Sequence, residues 1–381
     1  MSIYSSDHLL FQQSIKEFST KEILPYVDRW EAEDDFPDAI FSKLGEQGFF
    51  GILIPENDGG IGADYTMAAA WCEEFGRVPA VGFTIGVNMH SLVITPTLAR
   101  FGTPAAKEKF LDAALAGKAI GAYAFTEPGA GSDLTLIRTT AKKADGGWIM
   151  NGTKIFITNG RRASYVLVLA KTDPSAGYKG YTTFVVDAKS PGFSCARTLD
   201  KYGWRSSDTA ELLFQDVFIP DNMVLGEVGM GWIQAMTSLE WERLMLTLVS
   251  IGGANEVISK TINYINDRSA FGRSISQFNY VRTQLAVYIS RLRAVQAMAH
   301  HCVGMLNRKE RCRKEVSMVK LYGCELAIKI ADFCLQLHGG YGYTKEFIPE
   351  RWLRDLRLNT IGGGTTQIMA RIAAGELFAE R

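Results

Sequence analysis

The alternation of apolar and polar positions divides the chain into three stretches. From Ser6 to about Gly117 apolar residues return every three or four positions, the period of an amphipathic helix, and Pro25, Pro37 and Pro55 fall where one helix must give way to the next. The first helix carries Leu9, Leu10, Ile15 and Phe18 and is expected to be capped by Ser6 or Asp7. Gly59, Gly60 and Gly62 supply tight turns ahead of a helix whose packing face is Tyr65, Ala68, Ala69 and Trp71. Near Ala119 the pattern changes. GWIMNGTKIFITNG, YVLVLAKT, YTTFVVDA, FSCARTL and AELLFQDVFIP are short segments rich in Val, Ile, Phe and Thr, with Asp145-Gly146 and Asn151-Gly152 as turn signals. They predict a small antiparallel barrel or sandwich. From Gly229 long helical patterns return, with stripes at Leu285, Ile289, Leu292 and Ala299 and at Val316, Val319, Tyr322, Leu326 and Ile330 that suit a four-helix bundle. The expected fold is α+β and mostly α: a helical domain over residues 1–118, a β-domain over 119–227 and a helical bundle over 228–381.

One stretch breaks its own pattern. In GWIQAMTSLEWERLMLTLVSIGGA, residues 231–254, the apolar stripe runs Trp232, Ala235, Leu239, Leu246 and Val249, and Glu242 fills the gap in it. A carboxylate held among Leu239, Leu246 and Trp232 loses hydration, so its pKa should rise, which makes it a candidate base. A buried partner arginine or a subunit interface would explain the same residue, and the helix alone does not decide between them.

Composition narrows the function. Apolar residues make up 47% and charged residues 22%, with Lys+Arg 41 against Asp+Glu 41, the balance of an ordinary globular protein. That zero formal charge argues against nucleic acid as the main partner. Cys72, Cys195, Cys302, Cys312, Cys324 and Cys334 are scattered without a CxxC pair or a histidine spaced for zinc, so free thiols in a reducing compartment and no metal site are expected. The N-terminal MSIYSSDHLLFQQSIKEF lacks the charge pattern of a secretory signal, and no apolar run reads as a membrane span. A cytoplasmic location is expected.

Ahead of the β-segments lies AYAFTEPGAGSDLTLIRTTA, which presents the Thr126 and Ser132 hydroxyls and backbone N–H groups near Gly129 and Gly131, a set suited to polar cofactor edges and phosphate. TEPGAGSD, then KIFITNG, DRSAFGR, QLHGGYGY and GGGTTQI, in this order across three such domains, resemble the acyl-CoA dehydrogenase family over essentially the whole chain. The resemblance implies FAD between the β-domain and the bundle, with a thioester stacked on its other face. It assigns flavin and acyl-pantetheine contacts to Tyr123, Phe125, Thr126, Gly131 and Ser132 and flavin packing to Phe156 and Thr158. FAD pyrophosphate and adenine contacts across a subunit interface fall to Arg268 and Phe271, and further FAD contacts to Gln336, Gly340, Thr365 and Gln367. Phe156 stands where tryptophan is frequent, and Asn279 where glutamine is common, which leaves that contact open. His338 is expected to be a structural histidine beside the cofactor.

Many relatives carry the catalytic glutamate in a Tyr-Glu-Gly-Thr loop. Here that run is Gly362-Gly363-Gly364-Thr365, whereas Glu242-Arg243-Leu244 matches the isovaleryl-CoA and long-chain type, which keeps the glutamate on the bundle helix. The resemblance then implies α-proton removal by Glu242, β-hydride transfer to flavin N5, and polarisation of the thioester carbonyl by the Gly363 N–H and a flavin ribityl hydroxyl. Arg243, Glu240, Ser132 and Gly362 are expected near the acyl-pantetheine chain. With Gly362 and Gly363 in place of two large side chains, the pocket should favour a branched, bulky or long acyl group. A homotetramer and an electron-transfer flavoprotein as acceptor are implied. A dehydrogenase of carrier-bound acyl or aminoacyl groups and a non-catalytic assembly protein are the alternatives; an oxidase is disfavoured, since such relatives carry a further C-terminal domain.

Overall fold

The computed structural model describes residues 3–379. The N-terminal part is helical: α1 Ser6–Glu22, α2 Val27–Glu33, α3 Ala39–Glu46, α4 Tyr65–Phe75, α5 Val81–Asn88, α6 Thr95–Phe101 and α7 Pro104–Leu115. Ser5, one residue ahead of expectation, caps α1 through a capping box with His8. Leu9 and Leu10 are 54% and 69% exposed, so the inward face of α1 is set by Ile15. Helix α4 is buried beyond its predicted face, because Ala70 and Cys72 are covered as well.

Residues Val81–Phe101 form a continuous helical run of 21 residues, α5 and α6 joined by a π-helical turn over Met89–Ile94. By length and apolarity this run would pass for a membrane span, contrary to the sequence expectation. With 89% of its most apolar window buried inside the protein, it reads as a core helix.

The middle part is a curled seven-stranded sheet: β1 Gly121–Ala124, β2 Thr140–Ala144, β3 Gly147–Thr158, β4 Tyr165–Lys171, β5 Tyr181–Asp187, β6 Phe193–Thr198 and β7 Thr209–Pro220. Pairing is antiparallel except that β1, and β2 at Thr140, run parallel to β4. Asp145-Gly146 makes the predicted hairpin between β2 and β3, with Gly146 at φ +67°. Asn151-Gly152 does not turn. It lies within β3, where a register shift between Met150 and Gly152 absorbs it as a bulge.

The C-terminal part comprises α8 Gly231–Asp267, a hairpin of β8 Ser269–Ala270 and β9 Arg273–Ser274, α9 Asn279–Asn307, α10 Arg313–His338, α11 Ile348–Leu358 and α12 Thr366–Ala379. Both helical parts share one hydrophobic core, running from Ile15 through Phe75 and Val249 to Leu356, while the sheet has a core of its own around Met150, Val168, Phe184 and Phe214. Helix α8 joins them closely at Gly252 and Gly253: an added methyl would sit 2.3 Å from Glu73 O in one case and 2.4 Å from the Trp352 ring in the other. Of the predicted bundle stripe, Tyr322 is 43% exposed and lies outside the core.

Candidate active site

Eleven residues after the start of α8, Glu242 is half-buried and faces the turn between α11 and α12. A methyl group at Gly363 would lie 3.4 Å from Glu242 Oε1, 2.9 Å from Leu246 Cδ1 and 3.6 Å from Lys320 Cε. Gly363 also holds φ +64°, a conformation that disfavours a side chain. Its place beside the carboxylate is therefore reserved for a residue without one. Trp232 is not part of this setting: it packs, with its ring tilted, against Tyr178 and Tyr181 at ring distances of 4.7 and 5.3 Å. Ten residues of helix separate it from Glu242, about 15 Å.

Two cations hold the turn. Arg243 Nε donates to Gly363 O at 2.9 Å, and Lys320 Nζ donates to Gly364 O at 2.7 Å and Asn359 O at 3.0 Å. Asn359 is tied in turn by its Nδ2, which donates to Ser250 Oγ at 2.8 Å. Burial raises the Glu242 pKa above the ordinary carboxylate value, and the charges of Arg243 and Lys320 restrain the rise. Among the described residues the Gly363 N–H has no hydrogen-bond acceptor. Thr365 accepts the Ile368 N–H at 3.2 Å and so caps α12, and Gln367 is exposed on that helix.

On the sheet side, β1 brings Tyr123 and the following loop brings Phe125, their rings 4.1 Å apart; burial raises the Tyr123 phenol and Glu242 adds to the rise. Thr126 commits its hydroxyl hydrogen to Ile155 O, so less of it is free for a cofactor than the motif implies. The loop is anchored by a buried ion pair: Lys154 Nζ donates to Glu127 Oε1 and to Phe125 O, both at 2.9 Å, while Glu127 accepts the N–H groups of Arg138 and Thr139. Burial would raise Glu127, but Lys154, Thr139 and Arg138 outweigh it and hold it below its usual value. Burial lowers Lys154 to about 8 against the pull of Glu127. Immediately after Lys154 a second register shift in β3 sets Phe156 at φ +64° and turns its ring outward, 64% exposed, on the strand that also carries Thr158.

The remaining predicted residues sit elsewhere. Arg268, Gln336 and Gly340 line a cavity of about 630 Å³ with Tyr264, His338 and Tyr341, and Phe271 on the adjoining hairpin is 96% exposed at φ +52°. His338 stacks on Tyr264 at 4.1 Å and bonds Cys334 O through Nδ1, so it is a satisfied structural residue. Asn279 is the exposed first residue of α9. Arg268 directly follows the last residue of α8, 26 positions from Glu242, about 39 Å along the helix axis.

This geometry suits a flat, phosphate-bearing cofactor. Methyl groups at Gly129, Gly131, Gly272, Gly339 and Gly340 would meet nothing within 4 Å, so these glycines leave room on an outer surface rather than relieving a clash inside the chain. Matches to known proteins decide the family. The chain matches "Acyl-CoA dehydrogenase, N-terminal domain" at residues 5–118, the middle domain at 122–217 and the C-terminal domain at 229–378. It belongs to the acyl-CoA dehydrogenase family. It is 37% identical to the mitochondrial long-chain specific acyl-CoA dehydrogenase of Mus musculus, across 99% of this chain and 88% of that one. Against the mitochondrial isovaleryl-CoA dehydrogenase of Oryza sativa subsp. japonica the identity is 36%, over 97% and 91%. An acyl-CoA dehydrogenase structure from Geobacillus kaustophilus superposes with a TM-score of 0.95 at 36% identity, covering 98% of this chain and 99% of that one. The family binds FAD and its members are oxidoreductases.

Within the family frame, one sequence expectation changes. Only one of the two glycines opens the pocket. A methyl at Gly362 meets nothing nearer than Leu358 O at 3.7 Å, whereas the place beside Gly363 is already filled by Leu246 and Glu242. Sequence reading also passed over Lys320. It is 1% exposed and falls on the buried stripe Val316, Lys320, Gly323, Ala327, a charge in an apolar row, the same signal that marked Glu242.

Proposed function

We propose that this protein dehydrogenates an acyl-CoA at Cα–Cβ, with Glu242 as the base. The observation that carries the reading is the placement of the Glu242 carboxylate beside Gly363, at the position where the resemblance expects a loop glutamate and this chain has none. FAD, when bound, supplies the acceptor for the β-hydride. The chain's own work is the rest. Glu242 takes the α-proton, its raised pKa bringing it nearer the operating pH. The Gly363 N–H donates to the thioester carbonyl, where charge develops as the proton leaves. Arg243 fixes Gly363 through its carbonyl. Phe156, Thr158, Tyr123, Phe125 and Ser132 would hold the flavin and the acyl-pantetheine chain, with Glu240 at the rim.

Open space at Gly362 supports a branched, bulky or long acyl group. The distance along α8 supports a shared cofactor site: Arg268 and Phe271, with Gln336 and Gly340, are too far from Glu242 to meet one dinucleotide and would serve the FAD of a second copy, as in a tetramer built from dimers. Electron-transfer flavoprotein is the acceptor in this reading. The test is an anaerobic titration of the flavin-loaded protein with straight, branched and long acyl-CoAs, following the flavin's visible absorbance. Bleaching by branched or long esters is expected, with Glu242→Gln slower by about 10²- to 10⁴-fold. Bleaching in Glu242→Gln at the unaltered rate removes Glu242 as base; response only to carrier-bound thioesters replaces the substrate.

A further inference from the structure

Lys320 has no role in the reading above, yet it is built into the site more firmly than any residue that has one. Its side chain runs through the core of the bundle from α10 and ends between two backbone carbonyls of the 359–364 turn. A lysine buried this deeply costs several kcal/mol in desolvation unless its charge is used. The two carbonyls satisfy two of its three protons but carry no net charge. The formal countercharge is Glu242, which Lys320 faces from the opposite helix.

We infer that Lys320 is a positioning residue for proton removal, acting in two ways. By tying Asn359 O and Gly364 O it brackets Gly363 and fixes the direction of its free N–H, and its charge favours the carboxylate form of the neighbouring Glu242, the form that can accept a proton. The inference rests on the reading of Glu242 as base. The titratable and charged groups facing Glu242 are Arg243 from its own helix, Lys320 from α10 and the Tyr123 phenol from β1. Those facing Lys320 are Glu242 and Arg243 from α8 and Cys324 on its own helix. Arg243 already donates to the carbonyl of Gly363 itself, so the two cations divide the turn: Arg243 holds Gly363, and Lys320 holds Asn359 at the start of the turn and Gly364 just after Gly363. The sign of the electrostatic effect follows. Burial favours the neutral carboxyl, a nearby positive charge favours the carboxylate, and removing that charge lets the Glu242 pKa climb further, so the pH below which proton removal fails moves up.

The experiment compares Lys320→Met, which keeps the length and loses charge and donors, with Lys320→Arg, which keeps both. Flavin-loaded protein is mixed with the best acyl-CoA of the titration and the bleaching rate is recorded against pH. In Lys320→Met the acid-side midpoint should rise by about one pH unit and the rate at the original midpoint fall by about fivefold. Lys320→Arg should stay near the original curve. A second readout needs no substrate: hydrogen exchange of the backbone amides over 359–364 should quicken in Lys320→Met and much less in Lys320→Arg. An unmoved midpoint in Lys320→Met, or equal loss of flavin and folded state in both variants, overturns the inference and leaves Lys320 a structural tie. The parallel Glu242→Gln sample separates this from the reading beneath it. If that sample bleaches as readily as the unaltered protein, the base assignment itself fails, whatever Lys320 does.

Discussion

The two ends of α8 are finished to different degrees. Around Glu242 the chain supplies everything itself: Arg243 and Lys320 hold the facing turn, Lys154 and Glu127 hold the loop from the sheet, and most donors in the arrangement have acceptors. Around Arg268 the chain leaves an open cavity of about 630 Å³, a phenylalanine that is 96% exposed, and glycines bordering free space. The contrast separates residues that must be held from residues that must be offered. A base and an oxyanion donor work only at fixed distances, so their surroundings are closed; a surface that receives a cofactor or another subunit has to remain accessible until it arrives.

Substitutions at the closed end should show this first and most strongly. Lys154→Met removes one partner of a buried ion pair and should cost about 3–5 kcal/mol of stability. The freed Glu127 carboxyl then has a folded pKa above its unfolded one, so the deficit should shrink as pH falls, and thermal melts across pH 5 to 8, an assay range of about three units, check the slope. Next in size, Gly363→Ala places a methyl 2.9 Å from Leu246 Cδ1 at φ +64°, for an expected loss of about 1–3 kcal/mol. Displacing the turn should also slow bleaching by about a hundredfold, since small misplacements weigh heavily on rate. Smallest is Phe271→Ala at the open end, which should change the melting free energy of the flavin-free chain by less than about 0.5 kcal/mol. Its effect should appear instead as flavin lost on dilution. A large destabilisation there without flavin would erase the contrast between the two ends.

Much of this was legible beforehand, and for identifiable reasons. Periodicity found the three kinds of segment because long buried helices and paired strands impose their repeat on the chain. Glu242 stood out because one charge in an apolar stripe is costly enough to need a reason. Lys320 obeyed the same logic but was missed, its ammonium hidden among stripe residues read as plain packing. Leu9 and Leu10 misled in the opposite sense, being apolar yet outward, as single surface leucines commonly are. Asn151-Gly152 has the chemistry of a turn, and only the partner strand β7 decides that it bulges instead. The parallel alignment of β1 on β4 had no local signal at all, since register and direction are set by distant segments.

The pair Gly252 and Gly253 has a mechanical meaning. Where they meet Glu73 and Trp352, α8 is gripped against α4 and α11 with no side chain of its own to act as a cushion. That grip lies ten residues from Glu242 and fifteen from Arg268, about 15 and 23 Å along the axis. A stiff rod clamped between its ends behaves as a lever, and a tilt about this fulcrum carries the two ends in opposite directions, the Arg268 end by about one and a half times as much.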